Sequence, residues 1–238
     1  MAAESRRPSA WTHYLALVKK DLAMELHTKD MITSMGLYSI LVLVIYGAAL
    51  SQGGTSFDFK QLSGGLIWAV ILFTSLLGLN RSFVHERENG CLEGTLLVPM
   101  DRSVIFLAKA TANLFFLLVV EAIVVPLFFF WFSSLTLEGV NWLLVVVCLL
   151  VGTVGIAGVG TMLATITAST RGKDVLLAIM FIPLLFPLLW SVVAATTALV
   201  CMPEGFMDAF VISISLAGGY DVVMILVSWL LYDFVVSA

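Results

Sequence analysis

Between residues 80 and 113 the chain reads NRSFVHERENGCLEGTLLVPMDRSVIFLAKATAN, a run of charge between two apolar stretches. Glu86, Glu88 and Glu93 bracket Asn89-Gly90, a pair that readily turns a chain. Residues 91–98 then read as a short helix. Pro99 ends it, because the residue before a proline is pushed out of helical geometry. Asp101 or Ser103 can cap the next helix. Carboxylates presented on a short helix can pair with basic groups on a soluble partner. They can equally serve only to keep a solvated loop out of lipid, and the residues alone leave both readings open.

Other groups capable of chemistry are few. Glu121 lies inside an apolar run, about 18 Å of helix beyond Lys109. It reads either as a residue lining a polar interior or as a hydrogen-bonding group fixed to a neighbouring helix, and the structural role is the preferred one. Gly152, Gly155, Gly158 and Gly160 give one apolar segment a small face for close helix approach, with a hinge as the alternative. Pro183 and Pro187 stand one turn apart in another segment and kink it, as a static bend or as a gating element. Asp221 and Asp233 bracket the last apolar run and read as boundary residues.

His13, His27 and His85 lie outside the apolar runs and read as surface histidines, and the three cysteines form no CxxC or zinc pattern, so no metal site is expected. An intramembrane enzyme finds no support: His85-Glu86 is not followed by a second histidine at zincin spacing, and no GxSG lies in a span. Gly172-Lys173 is followed by Asp174, so no phosphate loop of the GxxxxGK[ST] kind is formed.

The elements that must position these groups are membrane helices. Of the 238 residues, 61% are hydrophobic and 12% charged, against about 25% charged in a typical soluble domain. A soluble chain of this length could not bury so much apolar surface. Six segments are long enough to cross, at 31–50, 64–80, 104–132, 141–168, 175–200 and 217–236. The second is short, at roughly 25 Å of helix. With six spans, all of the 12 lysines and arginines except Lys60 fall on one side, which the positive-inside rule places in the cytoplasm with both termini.

Before the first span, Trp11, Tyr14, Leu15, Val18, Leu22 and Leu26 form one apolar stripe, giving an amphipathic helix expected along the inner membrane surface. This stretch is too charged for a signal-peptide core. The expected organisation is 1–30 as a cytoplasmic, interfacial helix and 31–238 as a six-helix domain. The outer loops, near 51–63, 133–140 and 201–216, are short. Trp68, Trp131, Trp142, Trp190 and Trp229 fall near span ends and read as interface anchors.

The run ERENGCLEGTLLVP followed by R-x-x-I-x-x-x-K resembles the connection after the second span in ABC-2-type exporter permeases, where the pattern is similar to E-R-E-x-G-x-L-E-x-L-L-x-x-P. Within that group, GLIWAVILFTSLLGLNRSF, GTVGIAGVGTMLATITASTRGKDVLL and IPLLFPLLW resemble the CcmB family, over nearly the whole chain and in order. The resemblance implies an all-α polytopic permease with six transmembrane helices, an N-terminal interfacial helix and a short cytoplasmic coupling helix between spans two and three. It implies that Glu86, Arg87, Glu88, Gly90, Leu92, Glu93, Pro99 and Arg102 face an ATPase. It further implies a non-catalytic permease subunit in a bacterial inner membrane. Its expected partners are a CcmA-like cytoplasmic ATPase, a second copy of itself, CcmC- and CcmD-like membrane proteins and a haem chaperone. Haem is the implied substrate, for c-type cytochrome biogenesis, with no covalently bound cofactor and ATP used only through the partner. A permease of this type for a lipid, drug or polysaccharide fits the coupling motif equally.

Overall fold

The computed structural model describes residues 10–52, 59–88, 101–132, 140–168, 173–201 and 205–237, with backbone only at 28, 51–52, 82–88, 168, 173–174 and 236–237. Among them run seven helices: α1 Ala10–Thr28, α2 Asp30–Gln52, α3 Phe59–Glu88, α4 Arg102–Trp131, α5 Trp142–Ala168, α6 Lys173–Cys201 and α7 Phe206–Ser237. Each of α2 to α7 contains an apolar stretch of 21 to 30 residues, enough to cross a bilayer. The six crossings expected from hydropathy are therefore present by length and composition.

Two spans differ from expectation. The second runs Phe59–Arg81 and is of ordinary length, and its helix continues to Glu88. Lys60 and Gln61 interrupt the hydropathy but sit in the first helical turn, where polar groups meet water at no cost. The last helix begins at Phe206, inside what reads as an outer loop. Gly205 starts it with φ +74, a conformation open to glycine, and its carbonyl accepts from Asp208 N at 3.1 Å and Ala209 N at 3.4 Å. Asp208 suits the first turn, where the helix dipole favours an anion. The consequence is that Asp221 lies in the middle of α7 and is no boundary residue.

At the N-terminal end, Lys29 turns the chain between α1 and α2 with φ 59. Glu25 Oε1 accepts from Met31 N at 2.6 Å and Ile32 N at 3.3 Å, covering free amides at the start of α2. The apolar side of α1 is divided. Leu17 and Leu22 pack inward, whereas Trp11, Leu15 and Leu26 stay exposed. The Tyr14 hydroxyl donates to Thr111 Oγ1 at 2.9 Å and ties α1 to α4.

The core is built around α5, which packs on α3, α4, α6 and α7. Its glycines do not share one small face. Gly152 leaves room for the Trp68 ring, Gly155 for Asp221 and Leu188, Gly158 for Ile225, and Gly160 for Leu79 and Phe181. Trp68 is 1% exposed and donates from Nε1 to Thr196 Oγ1 at 2.9 Å. It is a core residue joining α3 to α6, not an interface anchor. The helices α2 and α7 are the least buried spans.

Candidate functional site

The charged segment starts on a helix. Glu86, Arg87 and Glu88 occupy the last turn of α3, in one unbroken helix with the second span. Gly90, Leu92, Glu93 and Pro99, with the expected short helix at 91–98, lie outside the described residues. The segment re-enters at Asp101, which stands at the N-cap of α4 with φ −65 and ψ 126. Its carbonyl accepts from Val104 N at 3.0 Å, and its side chain makes no cap bond, so the expected side-chain cap is not formed.

The first turns of α4 are held from three sides. Arg102 Nη1 meets Asp233 Oδ1, and also the Asp233 carbonyl oxygen, at 3.3 Å, joining the start of α4 to the end of α7. Ile105 and Phe106 are buried with Met162 of α5 and Tyr232 of α7, the Phe106 and Tyr232 rings lying 5.3 Å apart. On the third side stands α1, through the Tyr14–Thr111 bond. The start of α4 is thus in contact with α1, α5 and α7.

Deeper in the bundle, the polar groups pair between spans. Glu121 is 6% exposed, and Thr153 Oγ1 of α5 lies 2.7 Å and 2.8 Å from its two oxygens. The same hydroxyl is 2.7 Å from the Leu149 carbonyl. One hydroxyl has one proton, so it cannot donate to all three oxygens at once. A protonated Glu121 would complete the chain by donating to Thr153 while Thr153 donates to Leu149. Two turns toward the α4 N-terminus, Asn113 Nδ2 donates to Thr161 Oγ1 at 2.9 Å, a second clasp of α4 on α5. Ser39 Oγ of α2 and Thr74 Oγ1 of α3 are 3.0 Å apart, and Cys148 Sγ meets Thr196 Oγ1 at 3.3 Å.

Glu121 also borders two spaces. One is a groove of about 480 Å³ between α4 and α5, lined by Leu118, Pro126, Phe129, Trp142 and Leu149. The other, of about 10 Å³, is bordered by Ser39, Thr74 and Ser75 and is close to the room one water needs. Pro183 and Pro187 lie in α6, which runs unbroken across both. The Tyr220 hydroxyl of α7 donates to the Leu184 carbonyl between them. Because α4 and α6 pack on α5 but not as a pair on one another, Glu121 and the two prolines are not brought together. Among the described residues no group of three or more His, Cys, Asp or Glu converges.

Sequence reasoning missed the partners more than the acids. Thr153, Thr161 and Thr196 leave no signal in an apolar run, because a span threonine normally satisfies its hydroxyl on its own helix. Asn113 carried a usable one, since an amide inside a span needs an interhelical partner.

These features define a six-span, all-helical membrane protein whose spans are clasped by hydroxyls, one amide and one carboxyl group. The chain belongs to the CcmB protein family, whose sequence model matches residues 12–234. It is similar to heme exporter protein B of Pseudomonas aeruginosa, with 30% identity over 147 residues, 62% of this chain and 65% of that protein. It is also similar to heme exporter protein B of Haemophilus influenzae, with 24% identity over 180 residues, 74% of this chain and 77% of that one. The heme exporter protein B of Bradyrhizobium diazoefficiens is 27% identical over 202 residues, 85% of this chain and 89% of its own length.

Proposed function

We propose that this chain is the permease subunit of an ABC transporter that drives haem export or delivery for c-type cytochrome biogenesis, powered by a separate cytoplasmic ATPase. The observation that carries this reading is the CcmB family match, which extends from within α1 to the last turn of α7. The relatives named heme exporter protein B supply the cargo class. Haem is the substrate in this reading, not a resident cofactor.

The chain sits in a bacterial inner membrane with both termini in the cytoplasm, which puts the end of α3 and the 89–101 segment where an ATPase reaches them. Residues 1–30 act as an inner-surface helix and 31–238 as the permease domain. The coupling group is Glu86, Arg87, Glu88, Gly90, Leu92, Glu93, Pro99 and Arg102. The partners are a CcmA-like ATPase, a second copy of the chain, CcmC- and CcmD-like proteins and a haem chaperone. Closure of the ATPase pushes the segment, α4 moves against α1 and α7, and the spans rearrange around Glu121 and the proline-bearing α6. The unbroken α3 and the three-sided grip on α4 support this route.

The test is removal of the gene followed by haem staining of membrane proteins. Loss of covalent haem from c-type cytochromes, with b-type cytochromes retained, is the expected result. Normal c-type cytochromes would overturn the cargo assignment.

A further inference from the structure

Two neighbouring spans carry helix-weakening residues at one depth. In α6 these are Pro183 and Pro187, each without the N–H that would tie it to the turn before. In α7 they are Gly218 and Gly219, which have open space where a Cβ would stand. No close approach within the described residues requires glycine there, and what the pair supplies is backbone freedom. The Tyr220 hydroxyl, on the residue after the glycines, donates to the Leu184 carbonyl between the prolines. That bond sets the two weak points side by side near the middle of both helices. Sharp bends in long helices fall at such residues.

The segments on either side of this level are held differently. Toward Cys201, Thr196 of α6 accepts from Trp68 Nε1 of α3 at 2.9 Å and meets Cys148 Sγ of α5 at 3.3 Å. Toward Ser237, α7 is held to the start of α4, by Asp233 on Arg102 and by the Tyr232 ring on that of Phe106. Between those anchors α7 crosses a face of α5 that offers little grip. Gly155 and Gly158 leave room for Asp221 and Ile225, and Met162, one turn further on the same face, is unbranched and adaptable. Asp221 is 5% exposed, and its Oδ1, buried against Gly155, has no hydrogen-bond partner among the described residues. That oxygen makes no clasp onto α5 of the kind Glu121 makes. Left unpaired, it penalises the arrangement that holds it and favours one that pairs it.

We propose that α6 and α7 share a hinge at this level, about which their halves on the α4 side, 173–183 and 220–237, turn as one unit against the halves held by Thr196. The proposal rests on the reading of the chain as an ABC permease, in which the ATPase moves the start of α4. That motion carries α7 through Asp233 and Tyr232, and α6 through the Tyr220 bond, across the bare face of α5. The glycines and prolines take up the bend, so the clasps of Thr196 on α3 and α5 stay closed.

The test uses the complex of the full chain with its ATPase, purified in lipid nanodiscs, and reads ATP hydrolysis, which requires no knowledge of the cargo. Gly158→Cys with Ile225→Cys ties α5 to the turning half of α7 by a disulfide, at two positions already in contact. Thr196→Cys pairs with the native Cys148 and ties only the static half. Oxidised, the first variant should hydrolyse ATP about tenfold more slowly than after reduction, and the second within about twofold of its reduced rate, as expected if the bend gates turnover. Each protein is compared with its own reduced form, which removes any effect of the substitutions on folding. Gly218→Ala with Gly219→Ala meets no neighbouring atom. It should slow hydrolysis about tenfold, because two such changes bias a helix against bending by roughly that factor, and leave the size of the complex on gel filtration unchanged. Hydrolysis indifferent to the first disulfide, slowed equally by both, or parental in the double-alanine variant would overturn the hinge. Purification of the chain without any ATPase would overturn the permease reading, and the hinge with it.

Discussion

At the residue scale, the paired polar groups divide into clasps and fits, and each makes its own prediction. Glu121→Gln keeps a group that bonds Thr153, so the chain should reach the membrane at normal level and resist unfolding as the parent does. Thr153→Val removes the bond and should cost about 0.6 kcal/mol and at most about 1.7 kcal/mol, the mean and maximum for interhelical hydrogen bonds, read by denaturation in mixed micelles. Equal loss in both variants would contradict the clasp. Gly152→Ala drives a methyl group into the Trp68 ring and should cost about 1–3 kcal/mol by overpacking. Trp68→Phe should relieve part of that cost in a double-mutant cycle. Glu121 was legible in the sequence because an acid inside an apolar run is costly unless a neighbouring helix or a polar cavity meets it. The role of Trp68 was not, because a tryptophan near a span end looks the same whether it meets lipid headgroups or the cavity left by a distant glycine. Asp221 was misplaced for a related reason: Asp208, Ser213 and Ser215 lower the hydropathy of residues that nonetheless continue the helix.

At the scale of elements, α3 and α4 matter most, since they enter and leave the charged segment. Hydropathy ended the second span near residue 80 because Arg81, His85 and Glu86 are polar, but helical geometry is indifferent to that change of solvent. The helix carries Glu86–Glu88 outward without a break. The Arg102–Asp233 contact was invisible in the sequence, where 131 positions separate the two groups. Both partners are well exposed, so it positions more than it stabilises. Asp233→Ala should change unfolding stability by about 1 kcal/mol at most, as exposed ion pairs do. A loss several times larger would show that the contact holds the bundle together. The division of α1 between packed and exposed apolar residues was also beyond a periodicity argument, because one stripe serves a protein neighbour and a membrane surface equally well.

At the scale of the whole molecule, the one-sided distribution of lysine and arginine over six spans predicts that both termini lie in the cytoplasm. A reporter enzyme active only outside the cytoplasm should be silent when fused after Ala238 and active when inserted near residue 56. The reverse pattern would invert the assignment and remove the charged segment from any cytoplasmic ATPase. The number of spans was legible from the sequence since it depends on summed hydropathy, which tolerates errors at span ends. The arrangement of spans around α5 was not, since it depends on which glycine accepts which neighbour. The claim that joins the scales is that a separate ATPase works this permease through the segment leaving α3. It is tested most directly by purifying the tagged chain from membranes with its ATPase and comparing the parent with a Glu86→Lys, Glu93→Lys double variant. The variant should remain in the membrane at parental level and lose the ATPase from the purified complex. An ATPase that stays bound in parental amount and still supports c-type cytochrome formation would contradict the coupling assignment.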